Sequence, residues 1–237
     1  MKPQLVLFAA PCKDTLDTSW YRRVTEWQLS RDSKQWYFTP LFAEHTAGRI
    51  DVSRSKIIRA QLELQAPWCI SLDTDAKPLV SVDDLMPILE EDRLKGHEMI
   101  VGPTLKDQVD PKLLLWTKPE WGINIRKDAP FRITGAGLGF VALSLGGAMK
   151  LKVLNTLETL DEKLSMYCEA NGAQGEDNSL IANANDSGLL PVCDPRIVIG
   201  HSRKYDTAPD PGIWEKMAAT ARDELKRIEG AEELRGK

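Results

Sequence analysis

Apolar residues along the chain fall into short blocks separated by loops rich in Pro, Gly and Asp. QLVLFA at 4–9 is a continuous apolar run, which predicts a strand buried on both faces of a parallel sheet. Pro11 to Asp17 reads as a loop, and Thr18 or Ser19 is placed to cap a helix running to about Arg31. WYFTPLF at 36–42 alternates aromatic and branched residues and predicts a second strand, with Pro40 near its end. Asp51 or Ser53 opens a helix to about Gln65, although Ile57, Ile58, Ala60, Leu62 and Leu64 keep the helical period only roughly. PWCISL at 67–72 predicts a third strand, which runs straight into Asp73 and Asp75.

Further on, Val82 to Arg93 predicts a helix and Glu98 to Val101 a short strand. Residues 103–132 carry Pro103, Pro111, Pro119 and Pro130 and read as irregular. GLGFVALS at 137–144 predicts a strand, and helices follow at roughly 145–170 and 176–187. Arg196 to Ile199 reads as a short strand. Pro211 to Glu229 reads as an amphipathic helix with Ile213, Trp214, Met217, Ala218, Ala221 and Leu225 on its packed face. Strands alternating with helices predict an α/β fold with a central, mostly parallel sheet flanked by helices. No linker divides the 237 residues, so residues 1–237 are expected to form one domain, with a core at about 4–201 and a C-terminal helix at about 211–229.

Composition changes this picture little. A chain of this length buries about 70% of its unfolded surface. The formal net charge of -4 gives no global sign of a nucleic-acid binder. Cys12, Cys69, Cys168 and Cys193 show no CxxC spacing and read as reduced thiols, so a cytoplasmic protein is expected. The apolar run at Leu5 to Ala10 is short for a signal peptide, no stretch is long enough to span a membrane, and no internal repeat is present.

The chemistry gathers where strands end. In open α/β sheets ligands bind beyond the carboxyl ends of the strands, and Asp73 and Asp75 stand there. Two carboxylates held together repel unless a cation or hydrogen-bond donors lie between them. That reads as a metal–diphosphate site or a carboxylate that grips a ribose, against the simpler reading of a capped, solvated turn. GAGLGF at 135–140 imitates a dinucleotide fingerprint but has Phe140 where the last glycine belongs, and its glycines enter a strand; they read as points of close backbone approach to a ligand or a neighbouring segment. Gly175 precedes Glu176 and Asp177 at a helix start, where acids either cap the helix or serve as a general base. DPRIVIGH at 194–201 sets His201 just after a short apolar strand.

That ordered set resembles GT-A-fold glycosyltransferases, from about Gln4 to His201, and most closely small family-2-like members such as those of phage genomes: a strand into Asp-x-Asp, a Gly-rich strand entry, a Gly-Glu-Asp helix start, and a strand ending in Gly-His. The resemblance implies a Rossmann-like GT-A sheet and transfer of a sugar from a nucleoside-diphosphate sugar, UDP being the commonest donor nucleotide in this fold. It implies that FAAPCKD at 8–14, with Ala10, Pro11, Cys12 and Asp14, holds base and ribose, with Gly137 on the donor side. Asp75 would ligate the cation, Asp73 would contact the ribose or the metal's water shell, and His201 would be a third ligand, for Mn2+ or Mg2+. A basic residue in the helix before the Asp-x-Asp strand faces the nucleotide in relatives; Arg54 and Arg59 stand there, with a plain salt-bridged role equally open. Asp177, or failing that Glu176, corresponds to the acid at the acceptor side. No Gln-x-x-Arg-Trp signature follows Asp177, which argues against a processive synthase.

Residues 103–132 hold Trp116 and Trp121 among Lys106, Lys112, Lys118, Arg126, Lys127 and Arg132, and in this fold that region helps to form the acceptor site. Aromatic faces stack on sugars and on bases alike. The expected acceptor is a glycan or small molecule, with a hydroxymethylated pyrimidine in DNA second. The competing readings are a nucleotidyltransferase acting on sugar phosphates, which AAPCKD does not favour because it lacks the glycines of such a loop, and a non-catalytic nucleotide- or glycan-binding module.

Overall fold

The structure is a computed structural model that describes residues 4–12, 36–44, 49–74, 76–104, 113–122, 125–158, 163–170, 175–201 and 212–235. For Cys12, Glu44, Lys77, Pro78, His201 and 230–235 only the backbone is described. The helix expected at 18–31 lies outside these residues, as do Asp14 and Asp75.

The first half is built of β1 (Gln4–Cys12), β2 (Trp36–Glu44), α1 (Ile50–Leu64), β3 (Trp68–Leu72), β4 (Ala76–Pro78), α2 (Val82–Leu94) and β5 (Met99–Val101). Short elements follow: β6 (Leu115–Trp116), α3 (Pro119–Gly122), β7 (Phe131–Arg132) and β8 (Gly135–Ala136). Then come β9 (Phe140–Ser144), α4 (Leu145–Lys150), β10 (Asn155–Glu158), β11 (Lys163–Met166), α5 (Glu176–Asp186), β12 (Val192–Cys193), β13 (Ile199–His201) and α6 (Ile213–Arg235).

A seven-stranded sheet in the order β2-β1-β3-β9-β5-β12-β7 forms the centre. β1 pairs in parallel with β2 and β3, and β5 with β12, while β9 and β7 run the other way. The apolar runs are continuous because both faces are covered, and alternate residues go to opposite sides. Val6, Phe8 and Ala10 of β1 join Trp68, Ile70 and Leu72 of β3 against Leu85 and Leu89 of α2. Leu7, Ala9 and Cys69 face the other way, onto Ile57 of α1. Met99, Val101, Val141 and Leu143 meet Leu180 and Ile181 of α5 on that same side, where Trp214 and Ala218 bring in α6. This is an α/β fold of the GT-A type.

Several expectations need correcting. The helix expected over 145–170 stops at Lys150, and Leu151 turns to extended backbone. A hairpin of β10 and β11 replaces the rest, with Leu157 opposite Leu164. Its apolar spacing imitates a helix, but Leu164 and Met166 reach the core from a strand; packing outweighs local propensity. The strand expected at 137–144 begins at Phe140; before it the Gly137 N–H donates to the Leu114 carbonyl, which draws that stretch off the central sheet. The strand expected at 196–199 lies at Ile199–His201, with 195 and 196 in a turn. Pro40 sits mid-strand, level with Phe8. Its missing N–H costs nothing there, because β2 is the outermost strand among the described residues.

Candidate active site

Helix α1 explains its own irregular period. Its buried face includes Asp51, Ser53, Arg54, Ser55 and Gln61 beside Ile57 and Ile58. Gln61 donates from Nε2 to the Leu143 and Ala66 carbonyls, which fixes the helix on the sheet. Two turns earlier, Arg54 is 3% exposed and points to the carboxyl end of β3.

Three carboxylates converge on that guanidinium. Nη2 lies 3.2 Å from Asp73 Oδ1 and 3.0 Å from Asp177 Oδ1, and Nε lies 3.7 Å from Glu176 Oε1. Nη2 also reaches the Leu138 carbonyl, at 3.4 Å, and the Leu138 N–H donates to Asp177 Oδ2 at 3.2 Å. So one buried cation and one backbone segment, just before β9, tie the end of β3 to the first turn of α5. Burial works against the charge of Arg54, but Asp73, Asp177 and Glu176 outweigh it and hold the guanidinium firmly protonated. Burial first, and then the charge of Asp177, push the Glu176 carboxyl up to about 7, against the opposing pull of Arg54.

The other residues expected at the site fall as follows. Ala9 lies level with Ser71, the last β1 residue paired with β3, so Ala10, Pro11 and Cys12 run on at the end of the sheet where Asp73 stands, still paired with β2. Asp73 is 33% exposed, and its carbonyl accepts from the Ala76 N–H in a turn that leads into β4. β4 pairs antiparallel with β13, which sets the His201 backbone opposite Ala76, next to Asp75. Asp75 and the His201 side chain lie outside the described residues, so of the three expected metal ligands only the Asp73 side chain is placed, and it faces Arg54. Arg59 is not in this group; it pairs with Glu63, at 2.7 Å, on the outer face of α1.

Each glycine of the 135–140 stretch admits a neighbour. A β carbon on Gly135 would meet Asn178 Oδ1 at 2.6 Å and the Trp116 ring at 3.1 Å, and one on Gly137 would meet Leu114 at 2.9 Å. Gly137 is therefore covered by Leu114. Trp116 is 49% exposed. The ring of Trp121 is occupied by cations, with Arg132 at 3.9 Å and Lys118 at 5.0 Å from its centre. Leu138 is not visible from sequence as a site residue, because it acts through its backbone, and Asn178 is one asparagine among several in its helix.

No protein-family model matches the chain, and no curated protein matches it. Among solved structures, A197 from STIV aligns with a TM-score of 0.58 at 16% identity, over 88% of this chain and 91% of that one. GalNAc-T7, solved with UDP, GalNAc and Mn2+, aligns with a TM-score of 0.51 at 11% identity, over 87% of this chain and 45% of that one. At such identities the likeness is one of fold. It agrees with the GT-A sheet described above.

Proposed function

We propose that the chain is a metal-dependent glycosyltransferase that moves a sugar from a nucleoside-diphosphate sugar to an acceptor hydroxyl. The observation that carries this reading is the gathering of Asp73, Glu176 and Asp177 around the buried Arg54 at the carboxyl end of β3. A structural ion pair needs one carboxylate, whereas three from two separate segments at a ligand-binding edge suit a polyhydroxyl ligand. Arg54 Nε and Nη1 and Asn178 Oδ1 are buried without hydrogen-bond partners among the described residues. Buried polar groups left unpaired are costly, and sugar hydroxyls both donate and accept.

A divalent cation on Asp73, Asp75 and His201 would supply positive charge against the departing diphosphate. Ala10, Pro11, Cys12 and Asp14 would line the base and ribose, with UDP as the first nucleotide to try and Gly137 close by. Asp177 Oδ2 accepts from the Leu138 N–H, and Oδ1 lies 3.0 Å from Arg54 Nη2 with no hydrogen bond among the described residues. Glu176, near neutrality in its titration, is matched to take the proton from the acceptor hydroxyl as that oxygen attacks the anomeric carbon. This division of roles puts Glu176 ahead of Asp177 as the base.

Slow hydrolysis of nucleotide sugars, with water as acceptor, tests the reading without a known acceptor. Glu176→Gln is expected to lower kcat by about 10²–10⁴-fold with nucleotide affinity unchanged. Asp75→Ala is expected to abolish metal-dependent nucleotide binding. Hydrolysis that survives Asp75→Ala undiminished would rule this mechanism out.

A further inference from the structure

A groove lies between residues 113–119 and helix α6, with a volume of about 360 Å³. Its walls are Leu113, Leu115, Trp116, Ile213 and Met217. The groove is held open by rigid packing on either side. Trp214, Ala218 and Ala221 anchor one face of α6 in the core, with Phe131 edge-on to Trp214 at 6.0 Å. Gly122 of α3 comes so close to Ala221 that an added β carbon would stand 2.6 Å away. Ile213 and Met217 on the neighbouring face of α6 are partly buried against the core and also line the groove.

We infer that this groove is an acceptor subsite that takes a flat aromatic aglycone, an assignment that rests on the function proposed above. Two hydroxyls on the walls are turned away from it: Thr117 Oγ1 donates to the Arg132 carbonyl and Thr220 Oγ1 to the Lys216 carbonyl. What remains is an apolar slot with a half-exposed indole, a surface that gains from stacking and asks for few hydrogen bonds. Met217 adapts to the shape of its guest. Lys216 and Glu224 sit at the rim with opposite charge, so the slot favours a neutral group over a phosphate. The same Trp116 ring reaches the active site: its edge and the side chain of Asn178, the residue after Asp177, both close over Gly135. An acceptor seated on Trp116 would therefore lie beside the first turn of α5. The volume lies in the usual range of small-molecule sites, about 300–1,000 Å³.

The test uses the whole chain with two probes, 4-nitrophenyl glucoside and methyl glucoside, by ligand-observed NMR titration. Nucleotide affinity with Mn2+ is measured alongside. The aryl glucoside is expected to bind at least tenfold tighter than the methyl glucoside. Trp116→Ala removes that preference. Thr220→Trp, on the exposed side of α6, fills the slot and also removes it, while nucleotide affinity stays as in the wild type. Equal affinity for the two glucosides, or a preference that survives both substitutions, overturns the subsite and leaves the donor site standing. Aryl binding by a protein that binds no nucleotide overturns the proposed function and the acceptor role together. Tighter binding of hydroxymethylated DNA than of the aryl probe, falling steeply with salt, also overturns the assignment.

Discussion

Arg54 makes the corner beyond β3 habitable for carboxylates. It is buried, and Asp73, Glu176 and Asp177 all lie within 3.7 Å of its nitrogens. Replacing it by a residue of similar length, Arg54→Met, leaves that charge uncompensated. The expected loss is about 3–5 kcal/mol in urea unfolding at pH 8. The loss should shrink toward pH 5, because carboxyls without their cation take up protons there. Glu176 carries the opposite sign. Its folded titration, near 7, stands above its ordinary value of 4.5, so the folded state holds a proton that the unfolded state has released. Stability from this group is therefore full below about pH 4.5 and declines as pH rises to about 7. Glu176→Gln should flatten the stability profile in that window and raise stability at pH 8 by on the order of 1–3 kcal/mol. An unchanged profile would mean that the carboxyl titrates normally. The type and place of Arg54 were legible in the sequence, as a basic residue on the helix before the Asp-x-Asp strand. Its burial and its three partners were not, because Asp73 comes from the next strand and Glu176 and Asp177 from a segment more than a hundred residues away. The Leu138 backbone left no trace at all, since a main-chain N–H is the same in every residue but proline.

Elements were legible where apolar runs were long and failed where polar residues did the packing. β1, β2, β3, α1, α2 and α6 stand close to where hydrophobic pattern puts them, and α1 does so despite a buried face made largely of Ser, Arg and Gln. β4, β12 and the β10–β11 hairpin are too short to leave a period. A further tie between elements is equally silent in sequence. Arg196, in the turn after β12, bonds Asp194 at 2.6 Å, Asp92 of α2 at 3.2 Å and Glu91 at 2.7 Å. Asp92 and Asp194 are fully buried. Burial and the neighbouring Asp194 push the Asp92 carboxyl up to about 7, against the pull of Arg196. Arg196→Ala should thus cost about 3–5 kcal/mol, read as a lower urea midpoint with the slope kept. A cost under about 1 kcal/mol would mean that Asp92 and Asp194 share a proton and need no cation.

At the scale of the molecule, helices cover both faces of the sheet and leave its carboxyl edge for chemistry. α1 and α5 bring Arg54, Glu176 and Asp177 to that edge from one face. β4 and β13 bring the backbone of His201 to it beside the Asp-x-Asp turn. No helix among the described residues is long and apolar enough to cross a membrane. SLDTDAKP at 71–78 thus ends a buried strand, turns at Asp73 and enters a short edge ribbon, which suits a metal-bound diphosphate at the mouth of the sheet.

The most direct test of that account is thermal unfolding with UDP, GDP, CDP and dTDP, each with Mn2+ and each with a chelator. One nucleotide at a hundred times its Kd is expected to add about 2.7 kcal/mol, a Tm rise of roughly 5–10 °C for a chain of this size. The rise should need the metal and vanish in Asp75→Ala. No rise with any nucleotide, with or without Mn2+, would contradict the account and leave SLDTDAKP as a capped turn.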